Sequence, residues 1–408
     1  MTNDLTRSRR SYDGPAFFSG GFRPMFLLGA IWAVVAMVLW LVVLISGWSL
    51  PGRFDPVDWH AHELLFGFAP AVVCGFLLTA IPNWTGRLPV TGAPLGTLAG
   101  LWVLGRVAVL SGASFPAPLV MLADLLFLIV LAGFVTREII AGKNWRNVAV
   151  LMMLTLILIG NALFHLSAMA GELAAHGVGF RLGVGALIGL IGLIGGRVIP
   201  SFTRNFLAQR NESNLPVPFN RFDKTVMLIS VVTLAAWVIR PAVPITALLL
   251  LLAGMLHIAR MARWSGWQAR RQVLVLILHL AYAFLPLGYL IVGGAILWPG
   301  AIPAAAGVHA WMVGGVATMM LAVMTRASLG HTGRPLTAGG VEKLIFSTII
   351  LGAIARIWAV FPGTPDWVLY FSAIGWIVAF GGFVLFYGPI LLTPRIAAKK
   401  PGSARPAA

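Results

Sequence analysis

Long apolar runs alternate with short polar breaks along most of the chain, from residue 24 to residue 390. Each run holds about 20 residues, which as a helix span the roughly 30 Å hydrocarbon core of a bilayer. The predicted spans are 24–47, 62–82, 95–112, 117–138, 147–169, 178–200, 224–240, 244–262, 272–297, 303–326, 342–361 and 367–391. The tightest break is RPAVP at residues 240–244, and a kink there would leave eleven spans. The pattern predicts an all-α, polytopic membrane bundle of about twelve helices.

The composition excludes a soluble protein of this length. Of the 408 residues, 59% are hydrophobic and 10% are charged, whereas soluble domains carry about 25% charged residues. The first apolar run is too long for the apolar region of a signal peptide, so it is interpreted as a retained first helix. We predict a polar N-terminal tail at 1–23, a transmembrane domain at 24–391 and a basic C-terminal tail at 392–408.

The basic residues indicate the orientation of the chain in the membrane. Of the 29 Lys and Arg side chains, 24 fall on the side that carries both termini, so the positive-inside rule makes that side cytoplasmic. These residues lie in short segments between apolar runs and form no single patch. The net charge of +17 therefore indicates membrane topology and no nucleic-acid partner. The single cysteine, Cys74, lies inside an apolar run, which excludes a disulfide framework and a cysteine metal site.

This topology places five of the eight histidines near one level, close to the outer ends of their spans. They are His60, His62, His165, His176 and His309. Neutral imidazole is the usual protein ligand for haem iron and copper, and ionisable residues in a membrane are functional candidates. One such histidine is better explained by a hydrogen bond to a neighbouring helix, but five at one level favour metal ligation. His257 and His331, on the cytoplasmic side, fit the structural explanation better.

An internal repeat relates two of these histidines. Thr85-Gly86-Arg87 follows His62 after 23 residues, and Thr332-Gly333-Arg334 follows His309 after the same 23. Gly67 and Gly314 occupy matching positions in the two segments. Span six carries a weaker match to the repeat, from His176 to Thr203-Arg204. Because these spans are four apart and run in the same direction, three units of four helices are predicted around a shared centre.

This arrangement resembles the catalytic subunit of haem-copper oxidases and nitric oxide reductases. That subunit also has twelve helices in three pseudo-repeats, with haem ligands on helices two and ten and copper ligands from helix six. The present chain departs from it, because no His-His pair occurs on span seven. The resemblance is therefore one of architecture, which does not by itself imply the same chemistry.

Charged residues in the predicted spans suggest further site residues. Asp124 and Arg106 lie at similar depth on spans four and three and are expected to pair, in either a structural or a functional role. Glu63 follows His60 by three residues, so it could orient a ligand histidine or carry protons. Arg106, Arg181 and Arg356 occupy the outer half, where they could bind haem propionates or simply mark the interface.

Three long motifs resemble the signature of the NnrS family. They are WHAHELLFGF at 59–68 followed by GFLLTAIPNWTG at 75–86, GGRVIPSFTRN at 195–205, and MTRASLGHTGRP at 324–335. The resemblance covers nearly the whole chain. It implies a bacterial inner-membrane protein that contains haem, of b type, and copper, and that takes part in nitric oxide metabolism and tolerance of nitrosative stress. His60, His62, Glu63 and His331 lie inside these motifs.

The leading hypothesis is a haem- and copper-containing redox protein that binds nitric oxide in the bilayer and reduces it to nitrous oxide. Its predicted haem ligands are His62 and His309, and His60, His165 and His176 would hold a second metal or a second haem. The electron donor would be quinol or a periplasmic carrier. Two alternatives are a transporter or metal-handling protein, and a sensor or scavenger that binds nitric oxide without turnover.

Overall fold

The computed structural model describes residues 12–396, and within that range all of the regular secondary structure is helical. Twelve long helices follow one another, with the predicted order and with ends close to those predicted. They are α1 Phe22–Ser46, α2 Pro56–Thr85, α3 Ala93–Ser111, α4 Ala117–Ala141, α5 Val148–Met169, α6 Val178–Ala208, α7 Arg221–Ile239, α8 Pro244–Ala262, α9 Val273–Leu297, α10 Ala304–His331, α11 Gly340–Trp358 and α12 Trp367–Leu392.

The chain is a multi-pass membrane protein. In the part of the chain that the structure describes, eleven of these helices are long and apolar enough to cross a bilayer. The twelfth, α11, carries Glu342 in its first turn and Arg356 in its last. The RPAVP segment is a break between two helices, since α7 ends at Ile239 and α8 begins at Pro244. The predicted cytoplasmic location of both termini stays a prediction, and residues 1–11 and 397–408 of the predicted tails lie outside the described range.

Three helices form the centre of the bundle. Helices that follow one another in the chain pack together, and α12 packs against α1, which closes the sequence of neighbours into a ring. Among these helices, α2, α6 and α10 also contact one another. Their most apolar windows are 78%, 61% and 67% buried, against 33–39% for every other candidate span except α9. Side chains on these three helices therefore face protein more than lipid, and polar ones among them must find partners inside the bundle.

Each central helix contains a π-helical segment. The segments are Glu63–Phe68 in α2, Ile191–Gly195 in α6 and Ala310–Ala317 in α10. A π turn inserts one extra residue and rotates the following side chains to another face, and such segments are frequent at functional sites. His62 and His309 are the residues directly before the segments in α2 and α10. This shared irregularity supports the predicted repeat, in which three units of four helices each contribute one central helix.

Candidate functional site

The structure divides the five outer histidines between two sites. His62 and His165 belong to a group of buried polar side chains from α2, α3, α4 and α5. His60, His176 and His309 line a cavity on another side of α2. The first group, here called the buried ionic cluster, consists of His62, Glu63, Arg106, Asp124, Asn161 and His165. The second site is called the outer cavity.

One arginine holds both carboxylates of the buried ionic cluster. The Nη1 atom of Arg106 lies 2.6 Å from each carboxylate oxygen of Glu63, and its Nη2 atom forms an ion pair with Oδ1 of Asp124. The predicted pairing of Arg106 with Asp124 is therefore confirmed. No residue of the cluster is more than 4% exposed, so these charges are compensated by one another and not by water.

The histidine and amide groups complete the cluster. His62 donates from Nδ1 to Oε1 of Glu63 at 3.0 Å, and its Nε2 lies 2.9 Å from Oδ1 of Asn161 and 3.1 Å from Oδ2 of Asp124. That same Asp124 oxygen accepts a 2.8 Å bond from Nδ2 of Asn161 and lies 3.1 Å from Nε2 of His165. One ligand atom each from His62, Asp124 and His165 lie within 4.8 Å of one another, a spacing that could hold a metal ion.

A glycine in the π segment of α2 lets α3 approach the cluster. A methyl group on Gly67 would contact Nη1 of Arg106 and would lie 2.9 Å from Oε2 of Glu63. The backbone oxygen of Gly67 also accepts a 2.9 Å hydrogen bond from the indole of Trp102 on α3. The Gly67 position therefore has no room for a side chain while Arg106 keeps its place.

We expect the substitution Gly67→Ala to destabilise the protein by about 1–3 kcal/mol, because the added methyl group must displace Arg106 or spread α2 from α3. The thermal unfolding midpoint of the detergent-purified protein measures the effect. Gly100→Ala on α3 is the matched control, since its added methyl group meets no atom within 4 Å. Equal midpoints for the two variants would contradict the proposed close approach.

The outer cavity is mostly apolar and has a volume of about 420 Å³. It lies between α1, α2, α6, α10, α11 and α12, and ligand pockets usually have volumes of 300–1,000 Å³. His309 donates from Nδ1 to the backbone oxygen of Ala305 at 2.7 Å, which leaves the lone pair on its Nε2 atom. The ring of His60 is stacked on Trp40 at 4.5 Å and makes no hydrogen bond with residues 12–396. Two imidazoles with available nitrogen atoms thus line one apolar space.

Only one of the three outer arginines contributes to the outer cavity within the described range. Arg356 is half-buried, lines the cavity and has no carboxylate partner among residues 12–396. Arg181 instead donates to the backbone oxygens of Val238 and His176, at 3.1 and 2.6 Å. Arg106 belongs to the buried ionic cluster. Arg356 is therefore the cation that the structure offers to an anionic group in the cavity.

The remaining histidines lie away from both sites. His257 bonds to Ser230 and Tyr282 at 2.8 and 2.9 Å, which agrees with its predicted structural role. His279 bonds to Thr203 at 2.8 Å. His331 is half-buried at the end of α10 and lines a second apolar cavity of about 420 Å³, which lies toward the opposite ends of α2 and α10.

Sequence reasoning missed Asn161. This residue is fully buried in α5 and joins His62 to Asp124. A signal was present, because Asn161 precedes His165 by four residues and therefore shares its helix face. It is also the one amide in the interior of the predicted span 147–169, whose other amide, Asn147, is the first residue. A polar residue on the face of a candidate ligand deserves the same weight as the ligand itself.

Comparison with known proteins identifies the family of the chain. The family model described as "NnrS protein" matches residues 16–395. The matched range includes every residue of the buried ionic cluster and of the outer cavity. A search among curated proteins finds no match to the chain.

Proposed function

Because this chain belongs to the NnrS family, we propose that it is a redox protein that binds nitric oxide at a haem in the outer cavity and reduces it to nitrous oxide. The observation that carries this proposal is the presence of His60, His309 and Arg356 around one apolar cavity in the membrane domain. Nitric oxide is a small, weakly polar molecule that partitions into lipid. A site enclosed by membrane helices is therefore accessible to it.

The residues of the outer cavity fit a haem. His309 would hold the iron through Nε2, because its Nδ1–H is fixed by the carbonyl of Ala305, as is usual for metal-bound histidines. The apolar side chains would cover the faces of the macrocycle, and Arg356 would bind a propionate. The haem would be held without covalent attachment, as b-type haem is, because the single cysteine of the chain cannot form the C-x-x-C-H attachment of c-type haem.

The cavity favours His60 over His62 as the second functional histidine beside His309. Both ring nitrogens of His62 are engaged inside the buried ionic cluster, and His62 does not line the cavity. His60 lines it together with His309 and Arg356. The pairing of His62 with His309, predicted from the repeat, is therefore replaced in this proposal by His309 as ligand and His60 as hydrogen-bond and proton donor toward the substrate.

Reduction of two nitric oxide molecules consumes two electrons and two protons and gives one nitrous oxide and one water. A bound haem would supply an iron coordination position for nitric oxide and a route for electrons. The protein would supply protons at the ring nitrogen of His60, and the exposed His176 at the margin of the cavity could deliver them from water. The electrons would come from quinol or from a periplasmic carrier.

We expect the detergent-purified protein to show haem absorption bands that shift when nitric oxide is added to the reduced sample, with iron present in the same preparation. Nitrous oxide should form when reductant and nitric oxide are supplied together. Spectral shifts without nitrous oxide would identify a sensor or scavenger. A protein without haem would contradict the proposal and favour the transport or metal-handling alternative.

A further inference from the structure

The second apolar cavity, here called the inner cavity, is a neighbour of the outer cavity. Both have a volume of about 420 Å³, and α2, α6 and α10 line both of them. The side chain of Val316 on α10 belongs to the lining of each, so the two cavities share a wall. A molecule in the inner cavity would therefore lie next to whatever is bound in the outer cavity.

The polar residues of the inner cavity lie at the end away from the outer cavity. The residues of α2 and α10 that line it nearest to the shared wall are all apolar. The polar residues come last along each helix, and they are Thr79 and Asn83 on α2 and Arg326 and His331 on α10. A ligand with a polar group at one end and an apolar body fits this distribution, which is typical of small-molecule sites.

Arg326 offers hydrogen-bond donors to such a ligand. Its guanidinium lies over the ring of Phe202 on α6, 4.0 Å from the ring centroid. Among residues 12–396 it forms neither an ion pair nor a hydrogen bond, although guanidinium groups carry five N–H donors. Asn83 makes no side-chain hydrogen bond within the same range. The stacking on Phe202 thus holds the guanidinium beside the cavity while its N–H groups keep their capacity to bind an oxygen atom.

A smaller cavity of about 290 Å³ continues the inner cavity toward the surface. Thr79 and His331 line both of these cavities. The smaller one also includes Asp13 before α1 and Arg395 after α12, whose side chains are exposed. Protons released at the polar end of the inner cavity therefore have a route to water.

We propose that the inner cavity binds a quinol, from which the protein takes its electrons. The inference rests on the proposed function, in which two nitric oxide molecules consume two electrons and two protons. Two O–H bonds of the quinol break, its two electrons cross the shared wall, and its two protons leave through the smaller cavity. Two other protons are taken up at the outer cavity. One quinol and two nitric oxide molecules thus give one quinone, one nitrous oxide and one water.

Arg326 would recognise the oxygen at one end of the quinol ring. Its positive charge favours the oxygen atom after the proton has left, and its N–H groups can donate to the quinone carbonyl that results. A phospholipid would also fit an apolar cavity beside an arginine, but it carries no electrons to the neighbouring cavity. A soluble electron carrier would bind at the surface and would leave the inner cavity without a use.

The first test measures the binding of decylubiquinone, a quinone with a short tail, to the full chain in detergent by titration calorimetry. We expect saturable binding of one quinone per protein. Arg326→Met should weaken it about 10–100-fold, the usual effect of losing a hydrogen bond to a charged group. The matched control is Arg204→Met on α6, an exposed arginine that does not line the inner cavity and should leave the affinity unchanged.

Two further measurements place the quinone and do not depend on the affinity of one variant. Ala327→Phe adds a ring to the lining of the inner cavity, so it should abolish quinone binding and leave the nitric oxide shift of the haem. A photoreactive azidoquinone should label the unmodified protein in the parts of α2, α6 or α10 that line the inner cavity. This labelling needs no substitution, so it stands even if Ala327→Phe fails to fold.

Nitrous oxide production separates the quinol site from the proposed function. Arg326→Met should lose production driven by decylubiquinol and keep production driven by dithionite, which needs no quinol site. Three results would overturn the quinol assignment: no saturable quinone binding, equal affinity in Arg326→Met and the unmodified protein, or labelling confined to other helices. Production from dithionite alone would leave the proposed function standing and remove the quinol site. Quinone binding in a protein without haem would do the reverse.

Discussion

Replacing His309 with alanine is expected to remove the haem absorbance of the purified protein. His309 lines the outer cavity with Nε2 as its acceptor nitrogen, and the substitution leaves no iron ligand in its place. His60→Ala should keep the haem but lower nitrous oxide production by about 10²–10⁴-fold, the usual contribution of a general acid. The measurements are haem per protein by absorbance and nitrous oxide by gas analysis on the same samples.

Two further variants make the His309 result specific. His176→Ala tests whether any outer histidine matters, and it should keep its haem because the side chain is exposed at the margin of the cavity. His62→Gln should also keep the haem, since His62 belongs to the buried ionic cluster. Loss of haem from His62→Gln together with full haem in His60→Ala would favour the pairing of His62 with His309 that the repeat predicts.

The sequence was sufficient to predict the helices. Apolar runs, Pro/Gly breaks and the distribution of Lys and Arg predict twelve long helices, and the structure has them in the same order. The three π segments were not predictable, because apolar residues fit α and π geometry equally well. They follow from packing among α2, α6 and α10, which contact one another. Information of that kind is absent from the pattern of a single span.

The sequence predicted the depth at which the site residues lie better than it predicted which residues share one site. Counting residues from a loop predicts depth, and it correctly paired Arg106 with Asp124 across two helices. It does not predict which side of a helix meets which neighbour. His60 and His62 are two residues apart, so their side chains point about 200° apart around α2. Two histidines at the same depth therefore belong to two different sites. The helical periodicity of α2 therefore assigns these two histidines to different faces, although it does not name the neighbours that each face meets.

The largest expected loss of stability follows from Arg106→Met. The substitution leaves Glu63 and Asp124 buried without their common counter-ion, and breaking a buried pair on one side costs about 3–5 kcal/mol. Unfolding in detergent with increasing SDS measures the effect. Arg87→Met is the matched control, because Arg87 also pairs with a carboxylate, that of Glu138, but its side chain is 45% exposed. Its loss should be at most about 1 kcal/mol.

A triple variant identifies the cause of the Arg106→Met effect. Adding Glu63→Gln and Asp124→Asn removes the two negative charges that Arg106 compensates, so a charge-based effect should be largely reversed. If the loss were instead one of packing volume, the triple variant would be no more stable than Arg106→Met alone.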